Sequence, residues 1–456
     1  MSNSIKNQKA ILSKLGIEKL NEMQEEAQLA IHSSEEVILL SPTGTGKTVA
    51  FLLPIIKELD EKIEEIQALI VVPSRELAIQ IEQVMREMGT GFKVNVVYGG
   101  RAGSKDRVEI KHRPAVLIGT MGRIADHLRR EAFETKFIKT LVLDEFDKSL
   151  EIGFEGEMKE ILTLLPQVTK KILTSATQGV QIPSFVNLKS PLTIDYLQGN
   201  TKSSDLKLKL VSSPTKDKLE TLLELLTHIG NENGIIFCNY KDSIERISNF
   251  LTQHNLSHGT FFGGMEQVER ERALIKFRNG THKILLATDL AARGIDVPEI
   301  KFIIHYHLPQ RSEEFTHRNG RTARMNSKGT AFVLYYEDEY LPDFIEKLNI
   351  TRQNVKEKST ENSSKNTVEK SIENQSSNSS EWTTLFISGG RKDKISKGDI
   401  AGLFFKQGNL EKEQVGIIEL KNDCAFISVP KEVVKELLPK VNNMKLKNKK
   451  VRISVV

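Results

Sequence analysis

The sequence predicts an α/β protein: two parallel-sheet domains in tandem, then a small ferredoxin-like βαββαβ domain. Three observations lead there. Short apolar runs alternate with amphipathic helical stretches from about residue 36 to residue 340. That alternation holds more strands than a single open sheet normally carries. It then gives way to a Ser/Asn/Lys/Glu-rich stretch over 353–380, after which a compact strand–helix–strand–strand–helix–strand pattern closes the chain. The domains expected are 1–204, 205–352 and 381–456, with 353–380 as a flexible linker too polar to offset its ordering entropy.

In the first domain, EVILL (36–40) leads through a Gly-rich turn into a helix over 49–59. QALIVVP (67–73) precedes the helix RELAIQIEQVMREM, and AVLIGT (115–120) precedes GRIADHLRRE. LVLDEFD (141–147) and KILTSAT (171–177) are the remaining strands. The alternation resumes in the second domain with KLETLLELLTHI, GIIFCN (234–239), SIERISNFLTQ, TFFGG, RALIKFR, KILLATD (283–289), FIIHYHL (302–308) and TAFVLYY (330–336). The last domain reads as TLFISGG, GDIAGLFFKQG, GIIEL, AFISVP, KEVVKELLPKV and KVRISVV.

Composition bounds the function. The two cysteines, Cys238 and Cys424, lack metal-ligand spacing, which argues against a disulfide scaffold or a zinc site and fits a reducing compartment. The N-terminal segment has no signal-peptide core and no apolar run is long enough to span a bilayer, so a cytoplasmic location without membrane contact is expected. Residues 381–456 hold fifteen Lys/Arg and nine Asp/Glu, which exceeds the whole chain's net charge of +5. The surplus marks a module that meets polyanions, or a solvated Lys-rich tail.

The stretch LVLDEFD ends an apolar strand on Asp144 and Glu145, and buried carboxylates require a cation. SPTGTGKTVAF (41–51) supplies the rest of such a site. Its glycines let backbone N–H groups face an anion at a helix N-terminus. Ser41, Pro42, Thr43, Gly44, Thr45 and Gly46 form the phosphate loop, Lys47 reaches terminal phosphates and Thr48 ligates Mg2+. Asp144 then holds the metal with Thr48, and Glu145 orients and deprotonates the attacking water. The substrate expected is a nucleoside triphosphate with Mg2+. HRNGRTAR (317–324) is expected to open a short helix, with Arg318, Arg321 and Arg324 on one face awaiting an anion.

Taken in order, these motifs resemble the DEAD-box RNA helicases, with D-E-F-D in place of D-E-A-D. The resemblance spans roughly residues 15–340 and implies two RecA-like domains. PSRELA (73–78), Gly99-Gly100, TMGR (120–123), SAT (175–177), GGMEQVER (263–270) and ATDLAARGID (287–296) also match. It implies that Arg321 and Arg324 are arginine fingers, that Asp296 meets ribose or those fingers, and that Asp147, Ser175, Thr177 and His317 couple nucleotide to domain closure. It implies RNA-backbone contacts at Arg75, Gly100, Thr120, Gly122 and Arg123, and at Asn239, Gly264, Arg270 and Thr288. Gln24, in LNEMQ, would read the adenine edge.

Three departures stand out. Asn7 occupies the place of the usual adenine-stacking aromatic, Phe146 replaces a small residue, and Asn319 replaces an aliphatic one. The last domain resembles the DbpA-type RNA-binding domain, an RRM-like fold. That likeness implies large-subunit (23S-type) ribosomal RNA or pre-ribosomal particles as the partner. Phe386 and Phe426 are platform candidates, and Cys424 and Val429 stand where further aromatics are expected. Arg391, Lys392, Lys394 and Lys397 are therefore expected to carry much of the RNA contact. A monomeric RNA helicase acting in ribosome assembly is the expected function. The alternatives are an ATP-gated RNA clamp or chaperone, a helicase of messenger RNA decay or cold adaptation, and a DNA motor.

Overall fold

The computed structural model describes residues 7–100, 103–177, 181–197, 206–289, 300–323, 328–348, 350–353 and 381–456. Two of the expected site residues, Asp296 and Arg324, lie outside these, as does the linker from residue 354 onward.

The chain divides into two compact units at 203/204. In the first, α1 (Gln8–Lys14) and α2 (Glu22–Ser33) precede β1 (Glu36–Leu40), α3 (Lys47–Glu58), β2 (Ala68–Val72) and α4 (Arg75–Met88). Next come β3 (Val94–Val97), α5 (Gly103–Lys111), β4 (Val116–Thr120), α6 (Met121–Arg129), β5 (Thr140–Leu143), α7 (Phe146–Ile152), α8 (Glu155–Leu164), β6 (Lys170–Ser175) and β7 (Leu192–Asp195). The strands form one parallel sheet in the order β3-β4-β2-β5-β6-β1-β7. Central strands are apolar on both faces, as a sheet covered on both sides requires. Thus Ala68, Ile70 and Val72 pack into one core with α2, α3 and α4, while Leu69 and Val71 pack into the other with α6 and α8.

The second unit begins with β8 (Leu206–Ser213), α9 (Leu219–Ile229), β9 (Gly234–Phe237), α10 (Lys241–Gln253), β10 (His258–Phe261) and α11 (Gln267–Arg278). It continues with β11 (Ile284–Ala287), β12 (Phe302–His305), α12 (Ser312–Asn319), β13 (Gly329–Tyr336), α13 (Asp343–Glu346) and β14 (Thr351–Gln353). These strands also form a parallel sheet, in the order β10-β11-β9-β12-β13-β8-β14.

The same unit carries the C-terminal domain: β15 (Trp382–Ile387), α14 (Lys397–Lys406), β16 (Ile418–Leu420), β17 (Ala425–Pro430), α15 (Val434–Val441), a short β18–β19 hairpin (Lys445–Leu446, Lys449–Lys450) and β20 (Ile453–Val455). Its antiparallel order β16-β17-β15-β20 is that of a split βαββαβ fold. Leu385, Ile387, Ala425, Ile427 and Val429 face its core.

Two expectations need correction. The sheets gain β3, β7, β8 and β14, which the apolar runs did not reveal. β8 alternates Leu with Lys, and β7 is partly exposed beside β1. HRNGRTAR closes a helix instead of opening one: α12 ends at Asn319 with Gly320 beyond it, and Arg321 follows in a turn. Arg318 and Arg321 therefore do not share one helix face. Glycine's low helix propensity sets the stop.

Candidate nucleotide and RNA site

In a parallel sheet, ligands bind at the carboxyl ends of the strands. Three neighbouring strands of the first sheet, β5, β6 and β1, end on Asp144, Ser175 and Ser41. After β1 the chain turns through Gly44 (φ 86°) and Gly46 (φ 88°) into α3. Both glycines hold left-handed backbone, and a Cβ on Gly46 would also lie 2.3 Å from Gln24 Nε2. Ser41 N donates to Ser175 O at 3.0 Å, and the Ser41 and Thr45 hydroxyls lie 2.8 Å apart. Ser41, at the place of the motif's first glycine, thus ties the loop to the sheet. Lys47, first residue of α3, folds its ammonium onto Ser41 O (2.5 Å) and Pro42 O (3.0 Å). Thr48 follows it, half-buried.

Asp144 leaves β5 buried, only 3% exposed. Thr174 Oγ1 donates to Asp144 Oδ1, and the Glu145 N–H is shared between Asp144 Oδ1 and Thr174 Oγ1, both at 3.1 Å. Glu145 itself adopts left-handed backbone (φ 49°) between strand and helix. Burial, then the neighbouring Glu145 carboxylate, raise the Asp144 carboxyl to about 6, against the Thr174 bond and the Lys47 charge. A buried acid so placed, next to a second carboxylate and the phosphate loop, fits a divalent cation that would relieve both costs. Phe146 causes no disturbance: it is fully buried in the core on its side of the sheet.

The expected coupling residues are joined. Thr177 Oγ1 donates to Asp147 Oδ2 at 2.7 Å, and Ser175 Oγ receives the Thr177 N–H at 3.0 Å. Gln24 is placed differently from a free base reader. Its Oε1 receives the Asn21 N–H (3.1 Å) in a capping box for α2, and its Nε2 donates to Gly46 O (3.2 Å). Asn21 Nδ2 adds a bond to Thr45 O at 3.0 Å. Asn7 caps α1 by accepting from Ala10 N at 3.2 Å.

The other half of the first sheet carries the RNA candidates. β2, β4 and β3 are neighbours, and Arg75, Thr120 and Gly100 follow their ends. The Arg75 guanidinium lies against Gly100, where a Cβ would come within 2.4 Å of it. Arg123 Nε donates to Asp106 Oδ2 (2.5 Å), and His127 Nε2 lies 3.2 Å from the same oxygen. Gly122, the second residue of α6, has open space where its Cβ would be.

The second sheet repeats this plan. Gly264, Thr288 and Asn239 follow the ends of β10, β11 and β9, again three neighbours. Arg270 is buried, its guanidinium 4.9 Å from the centre of the Phe261 ring. Asn239 Nδ2 donates to Leu308 O (3.1 Å), while its Oδ1 accepts from Arg318 (2.8 Å). Arg318, buried in α12, forms a bidentate pair with Asp289 (2.7 and 2.5 Å) and donates to His307 O (2.7 Å). Arg321 is 5% exposed and His317 half-buried. In the C-terminal domain Arg391, Lys392, Lys394 and Lys397 are all exposed around a turn bonded to 421–422.

Sequence reading missed Thr174, Asp106, Asp289 and the role of Arg318. Thr174, Asp289 and Arg318 lie inside quoted motifs, which was their only signal, whereas Asp106 sits in α5 with no local signal at all. Asn319 also finds its reason. It accepts from Nε2 of fully buried His305 at 3.0 Å, and burial, chiefly, drives that imidazole down to about 3, so it stays neutral.

A phosphate loop, an acidic strand end and a second parallel sheet with the same strand-end plan define a nucleoside-triphosphate-driven nucleic-acid motor. The chain belongs to the DEAD-box ATP-dependent RNA helicases. Residues 21–184 match the DEAD/DEAH box helicase family, 217–326 the helicase conserved C-terminal domain and 384–455 the DbpA RNA binding domain. The chain is 33% identical over 329 residues to ATP-dependent RNA helicase eIF4A of Mycosarcoma maydis, covering 71% of this chain and 80% of that protein. It is 27% identical to ATP-dependent RNA helicase DbpA of Bacillus subtilis (strain 168), across 97% of this chain and 96% of the relative. Its fold resembles that of S. cerevisiae Dbp5 bound to RNA and ADP BeF3, with TM-score 0.67 and 25% identity over 80% of this chain and 95% of that one. The chain is thus an ATP-dependent RNA helicase with a DbpA-type RNA-binding domain. Among the described residues no helix is long and apolar enough to cross a membrane.

Proposed function

We propose that this helicase opens structured RNA locally, by closing its two parallel-sheet domains over a strand when ATP and RNA are both bound. The observation that carries the reading is the shared strand-end plan. Each sheet offers three adjacent strand ends to RNA, and the first adds three more to the nucleotide. Lys47 binds the terminal phosphates, and Thr48 and Asp144 would hold Mg2+, which would neutralise phosphate charge. Glu145 positions the attacking water and takes its proton. Arg321 and Arg324 reach the departing phosphoryl group from the second domain, Asp296 meets ribose and His317 meets the acidic strand end. Hydrolysis then requires closure, and linkage makes RNA and ATP tighten each other's binding. Thr177 on Asp147, with Ser175 behind it, relays nucleotide state to the RNA-binding half. Gln24, anchored on Gly46, relays the phosphate loop to the adenine subsite.

The family's contacts to RNA backbone are assigned here to Arg75, Gly100, Thr120, Gly122 and Arg123, and to Asn239, Gly264, Arg270 and Thr288. They position a strand without reading its sequence. Selectivity falls to the C-terminal domain. The match to DbpA of Bacillus subtilis across 97% of this chain, with the DbpA RNA binding domain match, supports a DbpA-like RNA target; the target carried over from the resemblance is large-subunit ribosomal RNA or a pre-ribosomal particle, approached by a cytoplasmic monomer. ATPase stimulation by bacterial large-subunit ribosomal RNA should exceed that by poly(A) at least tenfold. Replacing Arg391, Lys392, Lys394 and Lys397 with Gln should erase that preference. Equal stimulation by the two RNAs in the unaltered protein would refute the assignment.

A further inference from the structure

Of the two expected platform rings in the C-terminal domain, Phe426 is 5% exposed and Phe386, its register partner, is half-buried. A more open ring lies in the second parallel-sheet domain. Tyr240 directly follows Asn239, just beyond the end of β9, and is 58% exposed. It is also the N-cap of α10, a position where Ser, Thr, Asp or Asn would accept one of the helix's orphan N–H groups. Asn7, Asn21, Ser74 and Ser396 do so at α1, α2, α4 and α14. The Tyr240 side chain makes no such bond. A large ring thus faces water at a place where helix stability asks for a small polar group.

The ring is braced from within. His307 meets it in a T-shape, with ring centres 5.8 Å apart and 73° between planes, and Tyr306 meets His307 likewise at 5.0 Å and 90°. Tyr306 is buried, so the three rings run from core to surface. His307 is fixed in turn. Its Nδ1 accepts the Asn239 N–H at 3.2 Å, and the Asn239 side chain is held by Leu308 O and Arg318. Burial, chiefly, keeps the His307 imidazole down at about 4, so the brace is uncharged at neutral pH. Next along the chain, the Lys241 ammonium lies 5.6 Å from the centre of the Phe262 ring, which precedes Gly263 and Gly264. The loops after β9 and β10 are joined there. A rigid, outward-facing aromatic beside groups that hold RNA backbone is suited to capture an unpaired base.

We propose that Tyr240 stacks on one unpaired base of the RNA strand held by the second parallel-sheet domain, a grip on the base that contacts to the backbone do not supply. The proposal rests on the reading that the ends of β9, β10 and β11 bind RNA. Every base has a face to stack, so the ring adds affinity without reading sequence. Within a duplex those faces are covered by neighbouring bases. Tyr240 therefore favours the opened strand over the paired one.

Abasic scanning on the full-length chain tests it. The probe is a single-stranded oligoribonucleotide trimmed to the shortest length that binds, and the signal is the anisotropy gained on adding a non-hydrolysable ATP analogue. Wild-type protein should lose at least about fivefold in affinity when one particular position lacks its base. Tyr240→Ala should lose as much on the intact strand and then be indifferent to that abasic position. Tyr240→Trp should bind like wild type. Tyr240→Ser, which supplies a helix cap, should keep the thermal midpoint while losing the same affinity, an outcome that a packing role for the ring would not give. Abasic losses that are equal in wild type and Tyr240→Ala at every position would overturn the stacking. Thr288→Glu, which sets a carboxylate against RNA phosphate, separates the two readings. If it weakens binding while Tyr240→Ala binds the intact strand as tightly as wild type, the stacking alone fails. If neither variant weakens binding, the strand-end reading fails with it.

Discussion

Thr174 was no part of the expected site, yet it holds Asp144, the proposed metal-binding acid, in place, so Thr174→Val tests whether the geometry at Asp144 matters to chemistry. The hydroxyl donates to Asp144 Oδ1 and accepts from Glu145 N. Valine keeps the shape and removes both bonds. Glu145 N retains its 3.1 Å bond to Asp144 Oδ1, so the turn keeps a backbone tie. A hydrogen bond to a charged group contributes about 1.5–3 kcal/mol. The Thr174 bond acts on the ionised form of Asp144 and lowers a value already held near 6. Its loss should raise that value by roughly one to two units, since one unit corresponds to about 1.4 kcal/mol. Activity requires the carboxylate, so it should fall as pH drops through the Asp144 value. The assay is kcat/KM for ATP at saturating RNA across the pH range from 5 to 8, because kcat/KM follows ionisations of the enzyme before ATP binds. The acid limb should lie near 6 in the wild-type protein and move upward in the variant. An acid limb that stays in place, with unchanged kcat/KM, would refute the reasoning.

Two further outcomes follow from buried polar groups. The folded protein holds the Asp144 proton more tightly than the unfolded chain does, because 6 lies above the ordinary 3.8. That contribution favours the fold below 3.8 and is lost as pH climbs from 3.8 through 6. Asp144→Asn should therefore stabilise the first unit at pH 7 by on the order of 1–3 kcal/mol while removing ATP turnover, read by urea melts against ATPase rate; a destabilised variant would contradict it. Asn319→Leu, which restores the aliphatic residue, should destabilise the second unit by about 1–3 kcal/mol by stranding His305 Nε2–H in the core. Adding His305→Phe should recover most of that loss in the same melts, and no recovery would exclude the pairing.

How far the sequence carried these conclusions depended on the kind of signal. Apolar runs such as EVILL and ALIVV mark strands covered on both faces, so the sheet centres were legible. Edge and near-edge strands were not: LKLKLVSS pairs with β13 and β14 despite its lysines, because backbone pairing asks little of side chains that reach solvent. The phosphate loop and Asp144-Glu145 were legible because local order encodes them. Their supports were not, since Thr174 and Asp106 act across thirty and seventeen residues of chain. Asn319 looked anomalous by itself and becomes intelligible only beside His305, which the sequence places fourteen residues earlier.

Glu145→Gln addresses the central claim most directly, in single-turnover ATP hydrolysis with and without RNA. Glutamine keeps the shape and cannot take a proton. The wild-type rate should rise steeply with RNA, and the variant should lose at least about a hundredfold of the RNA-stimulated rate while still binding ATP and RNA together. A variant as fast as wild type, or a wild-type rate indifferent to RNA, would contradict RNA-gated hydrolysis at this site.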